Sequence, residues 1–126
     1  PPVLSTDHGA SMRFVTEENW ERIYNNLRTQ LFPDDEYTYD YMEEYSDRPG
    51  KFSIAEDFSD CYQDLKDFVM LYQQNTAMAQ QAAVADCRHY FATHWGPAIL
   101  RAQNHMHHLI HAKAENPNDN QQDWLL

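Results

Sequence analysis

The chain has 126 residues, of which 42% are hydrophobic and 23% are charged, a composition typical of one globular domain rather than a disordered chain. Twenty acidic residues against nine lysines and arginines give a formal net charge of −11, which repels the phosphates of nucleic acids and the headgroups of anionic membranes. We therefore expect no nucleic-acid partner and no membrane contact, and a cytoplasmic location because no signal peptide is recognisable.

The first predicted helix spans about residues 16–31. Thr16 is typical of an N-cap, and Glu17 and Glu18 suit the positive end of the helix dipole. Apolar residues then recur at intervals of three and four and end before Pro33, and they are Trp20, Ile23, Tyr24, Leu27 and Leu31. This spacing predicts an amphipathic helix with one apolar face.

An acidic insert at 34–50 follows. Residues 34–47 hold seven acidic residues, four tyrosines and no basic residue. Alternation of the tyrosines is compatible with a short β-hairpin, and the dense charge is compatible with a loop. The same composition suits a surface that recognises a basic or amphipathic protein, whereas the competing interpretation packs the tyrosines on the helices. The candidate interaction residues are Asp34, Asp35, Tyr37, Tyr39, Tyr41, Glu43 and Glu44.

The second predicted helix, about 53–75, begins with a capping-box pattern from Ser53 to Glu56. Its apolar residues fall on one face, and they are Phe58, Cys61, Tyr62, Leu65, Phe68, Val69 and Tyr72. Asp60, Asp64 and Asp67 fall on nearly the opposite face. On the usual pattern of an amphipathic helix, we expect the apolar face to be buried and the three aspartates to be solvated.

The third and fourth predicted helices span about 77–95 and 97–114. Gly96 is expected to end the third helix and Pro97 to start the fourth. The fourth is expected to bury four apolar residues, Ile99, Leu100, Met106 and Ile110, and a polar tail follows at 115–126. Together these segments predict an all-α, four-helix bundle-like single domain over 1–126. Its two cysteines, Cys61 and Cys87, are expected to be reduced packing residues.

The histidines are the candidates for chemistry. His94 lies within the apolar line of the third helix, where it is either a hydrogen-bonded core histidine or a catalytic base. His107 and His111, one helical turn apart, are candidate metal ligands, but no third ligand stands at a recognisable spacing. We predict no cofactor and interpret the pair as solvent-facing, with a metal site as the alternative.

Three segments resemble a bacterial family found in Bacteroides and catalogued as domain of unknown function 5063. They are residues 13–21, residues 60–69 with 71–73, and residues 94–97 followed by His107. The resemblance implies a helical fold and no established activity. It also implies a further helical segment before this point, so that the chain is expected to be the C-terminal part of a longer member with an apolar face open to dimerisation.

We therefore predict a non-enzymatic protein-interaction or accessory domain that binds a protein partner or forms a homo-oligomer. The acidic surface and the amphipathic helices favour this interpretation, because the sequence contains both and contains no recognisable set of catalytic residues. The alternative is a metal-binding or acid/base enzyme that uses His94, His107 and nearby carboxylates. Convergence of these residues in one cleft is the arrangement that the alternative requires.

Overall fold

A computed structural model describes residues 13–39 and 50–115 of the chain. Within these ranges the chain forms three helical rods and a two-stranded sheet. The elements in chain order are α1 (Glu17–Leu31), β1 (Glu36–Tyr39), β2 (Gly50–Ser53), α2 (Ile54–Tyr72), α3 (Ala77–Tyr90), a π-helical turn (Phe91–Trp95) and α4 (Gly96–Glu115). This architecture confirms the predicted helical domain with a short hairpin in the acidic insert.

The helices begin where side-chain caps satisfy their first backbone N–H groups. Thr16 accepts from the N–H of Asn19 at the start of α1, and Ser53 accepts from the N–H of Glu56 at the start of α2. Thr76 accepts from Ala79 in the same way at the start of α3. Each side chain satisfies a donor that has no partner within its helix, which fixes the starting point of the helix.

Strands β1 and β2 pair antiparallel, with Glu36 opposite Ser53 and Tyr39 opposite Gly50. The buried core lies between this hairpin, α1, the start of α2 and α4. Its buried members are Leu31, Tyr37, Ile54, Ala55 and Ala102, and partly buried residues of α1, α2 and α4 pack around them. Since β2 leads directly into α2, the hairpin fixes the position of the first turn of that helix.

The predicted break at Gly96 is wrong, because the π-helical turn carries α3 into α4 without an interruption. Gly96 has a φ of −62°, so it does not end a helix in a left-handed conformation. A Cβ atom at this position would overlap the carbonyl oxygen of Phe91, which explains why glycine is required here. The wider turn also accommodates Pro97, whose ring nitrogen has no hydrogen to donate.

Helix α4 packs through a face of small residues, and the predicted burial of Leu100 and Ile110 is wrong. These two side chains are 64% and 49% exposed, whereas Ala98 and Ala102 are buried. Met106 packs against the core as predicted. No helix in the described part of the chain combines the length and the apolar character needed to cross a membrane.

Candidate functional site

The two faces of α2 are largely reversed with respect to the prediction, although Cys61 of the predicted apolar face is buried. Its aspartates form an acid row, defined as Asp57, Asp60, Asp64 and Asp67, which faces the protein interior. Three members of the row are almost fully buried, at 1%, 4% and 8% exposure for Asp57, Asp64 and Asp67. The expected solvated face of α2 is therefore an inner face, and each carboxylate in it needs partners from other elements.

The C-terminal end of the acid row holds the segment that precedes α1. Asp67 Oδ1 accepts the backbone N–H groups of Phe14 and Val15 at 2.8 and 2.9 Å. The guanidinium of Arg13 lies 3.1 Å from Asp67 and 3.2 Å from Asp64, and it also stacks over the ring of Tyr90 in α3. Arg13 thus joins two elements of the domain to α2 at one point.

His94 holds the π-helical turn against the middle of the acid row. Its Nδ1 lies 2.6 Å from Asp64 and its Nε2 lies 3.4 Å from Asp60. The hydrogen bonds to Asp60 and Asp64 raise the pKa of His94 to about 10, against the lowering effect of burial. His94 is therefore an imidazolium at neutral pH, hydrogen-bonded through Nδ1 to Asp64 and ion-paired through Nε2 with Asp60, which does not suit a general base. Asp60 also accepts from the indole N–H of Trp20 at 3.0 Å.

The N-terminal end of the acid row is tied to α4 and to the hairpin. Arg101 Nη2 lies 2.7 Å from Asp57, whose other oxygen accepts a short hydrogen bond from the hydroxyl of Tyr37. Burial raises the pKa of Asp57, and Tyr37 and Arg101 offset part of that rise. Arg101 also lies over the ring of Phe52, 4.2 Å from its centroid. Asp57 and Arg101 therefore form a desolvated ion pair, and loss of either partner leaves an uncompensated buried charge.

The opposite face of α2 carries an outer stripe, defined as Tyr62, Leu65, Val69 and Tyr72. These apolar side chains are 40% to 42% exposed. They lie at intervals of three, four and three residues, so they share one side of the helix. Four of the seven residues predicted to be core therefore form an exposed apolar surface, whereas Cys61 is buried and Phe58 and Phe68 are half-buried.

The candidate interaction residues of the acidic insert separate into two groups. Asp35 and Tyr37 are buried, so the structure corrects their assignment to a surface. Asp35 accepts from the hydroxyl of Ser53 and the N–H of Ala55 and so supports the start of α2. Asp34 and Tyr39 are half-buried. The remaining candidates lie outside the described residues, and they are Tyr41, Glu43 and Glu44.

The candidate metal ligands His107 and His111 are exposed on α4, with ring centroids 4.4 Å apart. In the ranges 13–39 and 50–115, no group of three or more histidine, cysteine, aspartate or glutamate side chains is arranged to hold a metal ion. His105 instead stacks on the ring of Tyr37, with centroids 4.5 Å apart. His94 and His107 lie thirteen residues apart along the continuous helix, so the structure does not bring them together.

The two cysteines are free thiols on either side of Trp95. Cys61 Sγ donates to the carbonyl of Trp95, and the indole N–H of Trp95 donates to the carbonyl of Cys87. Burial, and then the neighbouring carboxylates of the acid row, raise the pKa of Cys61 to about 11. Cys61 therefore remains a thiol at neutral pH and packs as a small apolar residue.

A cleft lies between α1, the hairpin and the first turn of α2. We call it the hairpin cleft, and its volume is about 370 Å³. Aromatic rings of Tyr24 and Phe52 line it together with the carboxylates of Glu36 and Glu56 and the ammonium of Lys51. The hairpin cleft therefore combines aromatic and charged groups, whereas the outer stripe is apolar.

Comparisons with known proteins are consistent with the helical fold. The chain is similar to protein BF1032 from Bacteroides fragilis, a structural-genomics target with a crystal structure, at 30% sequence identity and a TM-score of 0.63. The match covers 77% of this chain and 55% of that one. A comparison with curated proteins gives no match. The model of the family described as a domain of unknown function (DUF5063) matches residues 5–112. The chain therefore belongs to the DUF5063 family.

Proposed function

We propose that this domain is a protein-interaction module that binds an amphipathic helix along the outer stripe of α2. The observation that carries the proposal is that α2 leaves four apolar side chains half-exposed on its outer side while three of its aspartates are buried. Scattered exposed apolar residues need no explanation, but a contiguous row along one helix is typical of an interaction surface.

The spacing of the outer stripe determines what kind of partner fits it. Apolar residues that repeat at intervals of three and four residues present a straight apolar seam to a second helix, as in coiled coils and helix-in-groove complexes. From Tyr62 to Tyr72 the seam runs ten residues, or roughly 15 Å at the rise of an α-helix. A partner helix of about three turns with apolar residues at the same spacing covers this length.

Two further features support binding rather than catalysis. Tyr62 and Tyr72 give contact area with a polar hydroxyl, a combination enriched in interfaces. The net charge of −11 favours encounter with a partner whose polar face is basic. The enzyme hypothesis is less well supported, because His94 is held protonated by two carboxylates and lies thirteen residues from His107, roughly 20 Å along a continuous helix.

Site-specific crosslinking tests the proposal. A photoreactive benzoylphenylalanine is placed at Val69 in the outer stripe and, as a matched control, at Leu100, which is more exposed and lies on α4. In the cells that naturally carry the protein, we expect a discrete crosslinked partner from Val69 and not from Leu100. Equal labelling from both positions, or no product from Val69, contradicts the proposal.

The crosslinked partner then permits a binding measurement. Leu65→Ser is expected to weaken its affinity at least about tenfold, because a polar side chain in the seam removes apolar contact and buries a hydroxyl. Leu100→Ser, with the same chemical change outside the stripe, is expected to leave the affinity unchanged. Circular dichroism and thermal unfolding establish that both variants keep the helical fold.

A further inference from the structure

The hairpin cleft has the chemistry of a cation site that the outer stripe lacks. Two of its walls are aromatic, from Tyr24 in α1 and Phe52 in β2, and two of its lining groups are carboxylates, from Glu36 and Glu56. An aromatic face attracts a cation through its quadrupole, and a carboxylate adds charge and a hydrogen-bond acceptor. Its volume, about 370 Å³, is at the lower end for ligand sites and suits one side chain.

The carboxylate of Glu56 lies where negative charge is concentrated. Burial, and then the charges of Asp60, Asp57 and Asp35, raise the pKa of Glu56. The charge of Arg101 offsets only part of this rise, so negative charge predominates around Glu56. A cation that enters the cleft therefore stabilises the ionised carboxylate of Glu56, because its charge offsets the repulsion from the neighbouring carboxylates.

A cation of the chain itself already uses the edge of this cleft. The guanidinium of Arg28 lies 5.9 Å from the centroid of Tyr24, and its Nη2 lies 3.8 Å from Glu36 Oε1. Both Arg28 and Glu36 are largely exposed, so the contact is a loose one at the rim. It nevertheless places a guanidinium beside a ring and a carboxylate that both line the cleft.

We propose that the hairpin cleft binds one arginine side chain of a peptide or protein partner. The planar guanidinium stacks on the aromatic wall and donates in a fork to the carboxylate of Glu56, two contacts that an ammonium does not make together. Lys51 also lines the cleft, and its charge disfavours a second cation, which limits the site to a single basic residue. The hairpin cleft involves none of the outer-stripe residues, so either proposal stands without the other.

Binding of a single-residue probe tests the site directly. The ¹⁵N-labelled protein is titrated with Nα-acetylarginine methylamide, and the backbone amide shifts of Thr38, Lys51, Phe52 and Glu56 are followed by nuclear magnetic resonance. The matched control probe is Nα-acetylcitrulline methylamide, which has the same shape without the charge. We expect saturable shifts of these amides with the arginine probe and at least about tenfold weaker binding of citrulline.

Protein variants locate the charge that matters. Glu56→Gln keeps the backbone N–H that donates to the Ser53 hydroxyl and removes the carboxylate, and we expect it to bind the arginine probe at least about threefold more weakly. Glu115→Gln removes one negative charge at the end of α4, outside the cleft lining, and is expected to bind as the unaltered protein does. Equal shifts with both probes, or unchanged affinity in Glu56→Gln, overturn the proposal.

Discussion

The inner and outer faces of α2 show two ways in which one helix is accommodated. On the inner face, the acid row receives partners from the segment before α1, from α1 itself, from the hairpin, from the π-helical turn and from α4. On the outer face, apolar side chains have only partial cover. Charged side chains of α2 are therefore buried where other elements supply hydrogen-bond and ion-pair partners, and the polarity of a helix face does not by itself decide whether that face is inside.

The partners of the acid row are far away in sequence. Arg13 is 51 residues from Asp64, Arg101 is 44 residues from Asp57, and His94 is 30 residues from Asp64. Buried carboxylates without such partners are strongly unfavourable, so the interior position of the row depends on all three cations. Substitutions on the two faces of α2 should therefore differ widely in their effect, and the following experiments measure that difference.

The largest expected effect comes from Arg101→Met, which leaves Asp57 buried without its ion-pair partner. We expect the free energy of unfolding to fall by about 3–5 kcal/mol, measured by urea denaturation. Asp57→Asn in the same background should recover part of the loss, because it removes the uncompensated charge. Arg22→Met, a change of an exposed arginine on α1, is the control. If Arg101→Met lowers the free energy of unfolding by less than about 1 kcal/mol, the ion pair does not contribute to the stability of the core.

A second comparison uses two positions on the same helix. Asp67→Ala on the inner face leaves the N–H groups of Phe14 and Val15 without their acceptor, and we expect it to lower the free energy of unfolding by about 2–3 kcal/mol. Met70→Ala, at a half-buried position one turn away, controls for the loss of side-chain volume in α2. If Asp67→Ala costs no more than this control, the anchoring of the chain before α1 does not stabilise the domain.

The contribution of His94 to the stability of the domain depends on pH. The pKa of His94 is raised in the folded state from 6.5 to about 10, so its contribution to stability is fully present below pH 6.5 and is lost as pH rises towards 10. We expect His94→Gln to be less stable than the unaltered protein by about 1 kcal/mol at pH 6, allowing for solvent screening of this half-exposed side chain. The difference should shrink through pH 7 to 9 in thermal unfolding. A constant difference over that range shows that His94 contributes by packing alone.

The smallest expected effect is on the outer face. Val69→Ser replaces a half-exposed apolar side chain, and we expect a change in the free energy of unfolding within about 0.5–1 kcal/mol. The same substitution is expected to weaken partner binding, which separates its effect on interaction from its effect on folding. A loss as large as that of Asp67→Ala implies that the outer stripe supports the fold.

Much of this fold follows from local sequence signals. Thr16 and Ser53 mark the starts of α1 and α2, and the alternating tyrosines mark β1. These predictions succeed because a cap or a strand alternation involves residues close together in the chain. The reversal of α2 was not predictable in this way, because periodicity identifies which residues share a face and does not say which face is inside.

A signal for the reversal was nevertheless present in the sequence. Arg101 falls between Ala98 and Ala102, on a face of α4 that small residues allow to pack closely, and His94 falls within an apolar line. Basic residues on packing faces require buried acceptors, and the aspartates of α2 are spaced to supply them. The mistaken helix end at Gly96 has a different cause, because a glycine that permits a close backbone approach looks the same in sequence as one that ends a helix.

The π-helical turn has a consequence for the register of the joined helix. Each residue of an α-helix advances the chain by about 100°, and a π-helical turn holds about one residue more than an α-helical turn, so the same five residues in α-helical form would rotate α4 by roughly a right angle relative to α3. Arg101 would then point away from Asp57 while the helix itself remained intact. The extra residue of the turn thus acts as a phase adjustment that brings a basic side chain of one helical segment to an aspartate of another.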